Sequence, residues 1–418
     1  MKQSFALLDV GGTDIKSSIF NTDDSNLQTI YRTRTPGNIQ KIFDLYEISP
    51  NYLYSEVEKH IQSIGSSRTR IEGLFISGQM GSWVVSDAKN RPITNIVSWQ
   101  DNRAAINKND FNQQVVDALG RDWLKTTGNE VRPGLPLLGL ERIKNKLPIQ
   151  KNLRFHTLIS WIASQLAKDY TYFSHITDSA STGMVDLTTN TWSKLALDFL
   201  DFDIELPEIS SNVIELGFSK ALSCPIYTPV GDQQASLYGA ELDTENTVVN
   251  IGTGGQVAAI STINRLTNLQ IRPYFNGQTI ETRTHLPAGR LISKCVGKLY
   301  PEADTVEAFA KFMLKSEVFD SDKYLDAENL EKSLLTVDNN DYLPSMILNT
   351  VSKAYKNALS EINDKSSNNL VFAGGIGQKF KKLQVSISEG KSYRIADSEE
   401  TTLRGLMMLA KEIKNQVN

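Results

Sequence analysis

Asp232 is the residue of this sequence best placed to accept a proton. It follows Gly231 in TPVGDQQASLYGAEL, residues 228–242, where an apolar run ends and Ala235, Leu237, Tyr238 and Ala240 suit a short helix. That position reads as a helix N-cap. The helix dipole and the free N–H groups of the first turn would hold the carboxylate ionised, ready for a proton yet weakly basic. Weak basicity suffices for phosphoryl transfer, whose loose transition state needs positioning more than early deprotonation. A cap with no chemistry is the plain alternative, and the residue alone does not choose between them.

Two glycine turns could cradle the phosphates of such a transfer. Residues 5–20 read FALLDVGGTDIKSSIF and residues 247–261 read TVVNIGTGGQVAAIS, so that Asp9-Val10-Gly11-Gly12-Thr13 aligns with Asn250-Ile251-Gly252-Thr253-Gly254. Each reads as a β-hairpin whose turn uses glycine to reach positive φ. Consecutive N–H groups with no side chain in the way can hold phosphate oxygens, and two such turns would grip a polyphosphate from opposite sides. Either turn alone could be an ordinary hairpin. Repetition of the flanks half a chain apart points to a duplicated domain. Neither turn is a G-x-x-x-x-G-K-[ST] loop, and no G-x-G-x-x-G opens a helix after the first strand, which leaves a dinucleotide site unsupported. A third cluster, NLVFAGGIGQKF at 369–380, runs a strand into Gly374-Gly375, with a helix expected to begin at Gln378 and Lys379. Bare backbone there admits a flat base, or serves only as a bend.

A polar set lies in residues 76–104. Ser77-Gly78-Gln79-Met80 ends a strand, and Trp99-Gln100-Asp101-Asn102-Arg103 gathers an aromatic ring, an acid, two amides and a guanidinium into five positions. Carboxylate and amides suit hydroxyl groups and an aromatic face suits a carbon skeleton, so the set fits a polyol; a surface loop with a half-buried tryptophan is the alternative.

The elements that must position these residues alternate. Three- and four-residue apolar spacing predicts helices over 55–64, 111–119, 137–147, 158–166, 344–362 and 401–413, the fifth opening on a proline whose missing N–H costs nothing there. Strand-like runs occur at 71–77, 226–230 and 370–373. Alternation of this kind predicts an α/β fold. At 418 residues the chain exceeds one ordinary core, and two domains are expected, 1–224 and 225–418.

Composition excludes several classes. Hydrophobic residues are 40% and charged residues 22%, the balance of a soluble globular protein, and the net charge is −4 with no long basic run. Nucleic acid and anionic membrane therefore have no electrostatic footprint. The opening MKQSFALLDVGG is too short in its apolar run for a signal-peptide core, and no stretch approaches the roughly 20 apolar residues that span a bilayer. The cysteines, Cys224 and Cys295, are too few for a disulfide framework or a cysteine-rich zinc site, and a cytoplasmic location is expected. His60, His156, His175 and His285 lack metal-ligand spacing and are expected to be structural or surface residues.

Together these segments resemble the FGGY carbohydrate kinase family of the actin-like ATPase superfamily, over nearly the whole chain. The likeness rests on DVGGT at 9–13, GQM at 78–80 with WQDNR at 99–103, GDQQASLYG at 231–239, IGTGG at 251–255 and AGGIGQKF at 373–380, in that order, with HITDSASTGMVDLTTNTW at 175–192 like the family's central stretch. The resemblance implies an α/β fold of two actin-like (ribonuclease H-like) domains with an intervening cleft, the N-terminal one binding sugar and the C-terminal one nucleotide. It implies an enzyme that uses ATP and Mg²⁺ on a small-molecule sugar. Asp232 would be the general base, with Gln233 beside the sugar and Asp9 orienting magnesium. Gly12, Thr13, Gly252, Thr253 and Gly254 would contact ATP phosphates, and Gly374, Gly375 and Lys379 would border adenosine. Gln79, Met80, Trp99 and Asp101 would face the sugar, and closure of the cleft would exclude water.

Many ketopentose kinases of that family carry histidine after Gly-Gln-Met, where this chain has Gly81. The chain is also short for the family, so insertions in its C-terminal half are expected to be missing. The runs IRPYFNG at 271–277 and TRTHLPAGR at 282–290 look closest to the sedoheptulokinase-like branch, which implies a ketose substrate. A ROK-type hexokinase would also open with DVGGTDIK, but its cysteine-rich zinc motif cannot be built here. A non-catalytic nucleotide-binding switch of the same fold is the other reading. A homodimer is the expectation for self-association.

Overall fold

The computed structural model describes residues 3–22, 27–40, 42, 44–67, 69–106, 109–148, 152–261, 269–317, 342–362 and 369–417. Two units emerge. The first comprises Met1–Gly239, Ile271–Thr279 and Thr402–Asn418, and the second Ala240–Gln270 and Ile280–Thr401. The expected division at 224 therefore moves to Gly239. The reason is strand pairing: Cys224–Tyr227 and Val230–Gly231 both add in parallel to Ile71–Gly78 and so belong to the first sheet.

In the first unit, Ser4–Val10 and Asp14–Asn21 form the expected hairpin, antiparallel with Asp9 opposite Lys16. Ser4–Val10 also pairs in parallel with Ile71–Gly78. All seven residues of Ser4–Val10 are buried, as a strand covered on both faces must be, and its apolar content follows from that. The helix Pro50–Gly65 covers this sheet with Leu53, Val57, Ile61 and Ile64, which lie in one core with Ala6, Leu8, Leu74 and Ile76. Its start is set by Ser49, whose hydroxyl accepts the Tyr52 N–H, and by Pro50 in the first turn. A smaller sheet of Glu47–Ile48, Ile96–Val97, Trp83–Ser86 and Arg154–Thr157 carries the residues that lead into Trp99.

The second unit repeats the pattern. Asn246–Ile251 and Gly255–Ile260 form the other hairpin, with Asn250 opposite Gln256, and Asn246–Ile251 pairs in parallel with Asn369–Ala373. Each hairpin thus hands its first strand to a parallel neighbour, which is the duplication expected from the sequence. The helix Leu343–Ile362 covers this sheet, burying Ile347, Val351, Tyr355 and Leu359 against Val249, Ile251 and Phe372. Each such aliphatic side chain stabilises the fold by about 1.5–3 kcal/mol relative to exposure.

Histidines follow the structural expectation. His60 is buried between the Ser17 and Thr33 hydroxyls, 2.9 and 3.0 Å away, and burial lowers its pKa to about 4. His156 and His175 are buried and His285 is exposed. No helix among the described residues is long and apolar enough to cross a membrane.

The terminal helix Thr401–Val417 lies on the helix Asp232–Gly239 through Gly405, where an added Cβ would collide with the carbonyl oxygen of Ala235. Gly405→Ala is expected to destabilise the protein by about 1–3 kcal/mol or more. At Gly297, in the helix Gly289–Leu299, a Cβ would meet no protein atom, and Gly297→Ala should stabilise by about 0.4–1 kcal/mol. Urea unfolding of both variants checks the pair; equal effects would deny the close approach at Gly405.

Candidate active site

Ser4–Val10, Ile71–Gly78 and Val230–Gly231 run parallel, with Asp9 beside Ser77 and Gly231 beside Gly78. Their carboxyl ends therefore deliver Asp9 and Asp232 to one edge, the edge where open α/β sheets bind ligands. Asp9 is buried, and its carboxylate accepts the Ser77 hydroxyl at 3.1 Å.

Asp232 opens its helix, and its Oδ1 accepts the N–H of Gln233 at 2.9 Å. The residue is partly accessible to solvent, while the protein crowds its carboxylate closely. Burial above all, then the charge of Asp9 and, further down, that of Asp178, push its pKa up to about 7, against the N–H groups of Gln233 and Met80 that favour the ionised form. The expectation of a weakly basic cap is thereby corrected. Sequence shows the N–H groups that follow Asp232, but not the two acids that folding brings near it.

Asp178 was not singled out by its sequence. It is buried, its carboxylate accepts the Thr157 hydroxyl, and burial raises its pKa to about 7. Its neighbour Thr177 accepts the Gly231 N–H at 3.2 Å, which fixes the chain just before Asp232. Ser181 Oγ donates to the Asp178 carbonyl at 2.7 Å and accepts the Gly81 N–H at 3.1 Å. The signal was the run of small hydroxylated residues in HITDSASTG, too polar for a core unless its groups are paired.

The polar set divides. A Cβ built on Gly12 would stand 3.5 Å from Gln79 Oε1 and 3.7 Å from Trp99 Nε1, so the first glycine turn adjoins Gln79 and Trp99. Met80 lies over Gly231, where a Cβ would approach its sulfur to 2.6 Å. Trp99 is half-buried. Gln79 is buried, and its Nε2 has no hydrogen-bond partner among the described residues. Gln79, Met80, Trp99 and the turn at Gly12–Thr13 thus lie together, with Gln233 next to Asp232. Asp101 does not. Its Oδ1 accepts the backbone N–H and Nε of Arg103, at 2.9 and 2.7 Å, and its Oδ2 accepts the Tyr46 N–H and Arg103 Nη2, at 2.7 and 3.0 Å. This carboxylate is filled by the protein and holds the loop in shape instead of facing a sugar.

In the second unit, Thr253 and Gly254 are exposed at the turn, and Gly252 accepts the Gly289 N–H at 2.9 Å. Gly374 adjoins the same turn: at φ +76° it has a left-handed backbone, and a Cβ on it would stand 2.6 Å from Asn250 Oδ1 and 2.7 Å from Gly252 N. The hairpin glycines Gly11, Gly12, Gly252 and Gly254 have no positive φ, contrary to expectation. A Cβ at Gly254 or Gly375 would meet no protein atom, so their bareness leaves backbone approachable without serving a bend. The helix after this strand begins at Gly375 and ends at Lys379, earlier than expected, and exposed Lys379 pairs with Glu399 at 2.9 Å.

Among the described residues no group of three or more His, Cys, Asp or Glu is gathered to hold a metal ion. Asp9 alone fits magnesium, a cation that takes one or two carboxylates and otherwise prefers water and substrate phosphates. Backbone-rich turns without side chains likewise fit the phosphates of ATP.

Comparison with known proteins bears on this arrangement. The model of the FGGY family of carbohydrate kinases, N-terminal domain, matches residues 5–239, close to the extent of the first unit's leading stretch. Glycerol kinase 5 of Mus musculus is 24% identical over 285 residues, 59% of this chain and 52% of that protein; the chain thus matches about half that relative's length. The structure of ligand-bound xylulose kinase from Lactobacillus acidophilus superposes with a TM-score of 0.83 at 17% identity, covering 99% of this chain and 90% of the other. That of Plasmodium falciparum glycerol kinase with ADP gives 0.79 at 16%, covering 99% and 90%. These structures show the fold, an α/β pair of actin-like domains as expected.

A carboxylate raised in the folded state contributes stability fully present below its unfolded pKa and lost as pH rises through the folded value. For Asp178 the window runs from the ordinary 3.8 to about 7. Asp178→Asn keeps the shape and removes the titration, so the variant's melting temperature relative to the parent should climb from pH 5 to pH 7.5. Parallel melting curves across that range would refute the buried titration.

Proposed function

The chain belongs to the FGGY family of carbohydrate kinases, and on that basis we propose that it transfers the γ-phosphoryl group of ATP to a hydroxyl of a small sugar, with Asp232 as general base. The observation that carries this is the Asp232 carboxylate, crowded beside Asp9 and raised to about 7. A base poised near the working pH is the efficient one. The acceptor hydroxyl oxygen bonds to the γ-phosphorus, the bond from phosphorus to the ADP oxygen breaks, and the hydroxyl proton passes to Asp232. Gln79, Met80, Trp99 and Gln233 hold the acceptor. Gly12 and Thr13 offer N–H groups to phosphate, a role we also give Gly252, Thr253 and Gly254, and Gly374, Gly375 and Lys379 border the adenosine. Magnesium held through Asp9 would offset phosphate charge.

For substrate, the sedoheptulokinase-like runs at 271–277 and 282–290 favour a ketose. Among uncharged acceptors, one of roughly five to seven carbons should exceed glycerol and glucose in kcat/KM when ADP release is measured. Dominance by glycerol or glucose would refute the ketose reading and leave the kinase standing.

Asp232→Asn tests the chemistry. It should lower kcat by about 10²–10⁴ with far smaller changes in KM. Because the parent carboxylate is ionised against its surroundings above pH 7, the variant should melt no lower at pH 8. In the parent, kcat/KM should rise with pH up to about 7. Near-normal turnover by the variant would reduce Asp232 to a helix residue and favour the nucleotide-binding switch.

A further inference from the structure

His175 is a buried histidine whose hydrogen bonds lead to the proton acceptor. The strand Phe173–His175 pairs in parallel with Glu208–Ser210, with His175 opposite Ser210, and this sets the Ser211 backbone beside the ring. His175 Nδ1 lies 2.8 Å from the Thr177 hydroxyl and accepts the Thr177 N–H at 3.3 Å. A ring nitrogen that accepts an N–H carries no proton of its own. The proton of the neutral ring therefore sits on Nε2, the nitrogen left to donate to the Ser211 backbone. Burial lowers the His175 pKa to about 4 against that bond, so the ring stays neutral. Facing a bare lone pair, the Thr177 hydroxyl must donate to Nδ1. Its oxygen is then free to accept, and it takes the Gly231 N–H at 3.2 Å. Every hydrogen in the series points one way, from Gly231 through Thr177 and His175 to Ser211, and bonds aligned in this manner strengthen one another.

Resting on the kinase reading, we propose that His175 is a positioning residue for Asp232: its bare Nδ1 orients the Thr177 hydroxyl, and that hydroxyl holds the backbone from which the base projects. The strand leading into Asp232, Val230–Gly231, has only 2 residues, both buried, so a lateral tie at Gly231 governs where the next residue begins. Gly231 is also tightly enclosed, since a Cβ on it would stand 2.6 Å from Met80 Sδ and 2.7 Å from Gln234 Oε1. Without Thr177 its N–H would be orphaned in the interior, and the chain would shift to find another acceptor. The opposite ring tautomer would aim an N–H at the hydroxyl and take away the acceptor of the Thr177 N–H. A displaced carboxylate loses its line to the acceptor hydroxyl, while the groups that bind substrate stay in place.

The test joins imidazole nitrogen NMR of the full chain to the kinetics of ADP release. In the parent at pH 7, His175 should show the Nε2–H tautomer. Thr177→Val keeps the shape without the hydroxyl and should lose about 10–100-fold in kcat. The KM of ATP and of the acceptor should change by less than about 3-fold, the split expected when binding survives and alignment does not. Thr177→Ser restores the hydroxyl and should return kcat to within about 3-fold of the parent. His175→Phe keeps a ring against Phe275, whose centroid is 5.9 Å away, and should match Thr177→Val. His175→Asn, whose Oδ1 can stand in for Nδ1, should recover most of that loss. Thr177→Val and His175→Phe together should cost no more than either alone, because they break one series of bonds. Losses that fall on KM as much as on kcat, or a Thr177→Ser no better than Thr177→Val, overturn the proposal. An Nδ1–H tautomer in the parent overturns it even if every variant fails to fold, and leaves the kinase reading intact. No ADP release by the parent with any carbohydrate overturns the kinase reading and this role together.

Discussion

Burial of acids in a crowded interior, sharpened by their mutual repulsion, is the constraint on which the first unit is organised. Asp9 and Asp178 are buried, and both raise the pKa of Asp232 through their charge. Carboxylates do not gather so unless the backbone compels them, since each charge removed from water costs free energy that its neighbours increase. Here the compulsion is the parallel pairing of Ser4–Val10 and Val230–Gly231 on either side of Ile71–Gly78. Apolar burial along those strands holds the acids against their repulsion. The outcome is a carboxylate ready to take a proton near neutrality.

The duplicated hairpins show how one scaffold was put to two uses. Where the first hairpin has Asp9, the second has Asn250, in the same register before the turn. An amide keeps the shape and the hydrogen-bonding reach of the acid while removing its charge. Asn250 adjoins the Gly374 backbone, and a neutral group there leaves the second unit without the repulsion that tunes the first. The family match over residues 5–239 ends where the first unit's leading stretch does.

Much of this was legible in the amino-acid sequence, because hairpins and amphipathic helices are written in local spacing. The two turns, the helix over 158–166 and the strand over 71–77 could be read almost residue for residue. Asp232 could be found because a glycine and a helix start flank it. Its basicity could not, because the burial that chiefly sets it, and the acids Asp9 and Asp178 that add to it, come from stretches far away in sequence. Asp101 misled in another way: a carboxylate suits a polyol, but Arg103, two residues on, and the distant Tyr46 claim both its oxygens. Glycine in the hairpins suggested a bend, whereas the structure uses it for the absence of a side chain.

The first unit is assembled from three separated stretches, the last of them Thr402–Asn418. Gly405 in that stretch abuts the carbonyl of Ala235, and Tyr238 hydrogen-bonds Glu412. A ribosome that has released residues 1–239 has therefore made Asp9, Asp178 and Asp232 but not the helix that packs on Asp232–Gly239. The whole of the second unit must be synthesised before that brace exists. The fold of residues 1–239 is thus completed late in synthesis, and a nascent fragment that stops short of Thr402 would carry Asp232 on a loosely supported helix.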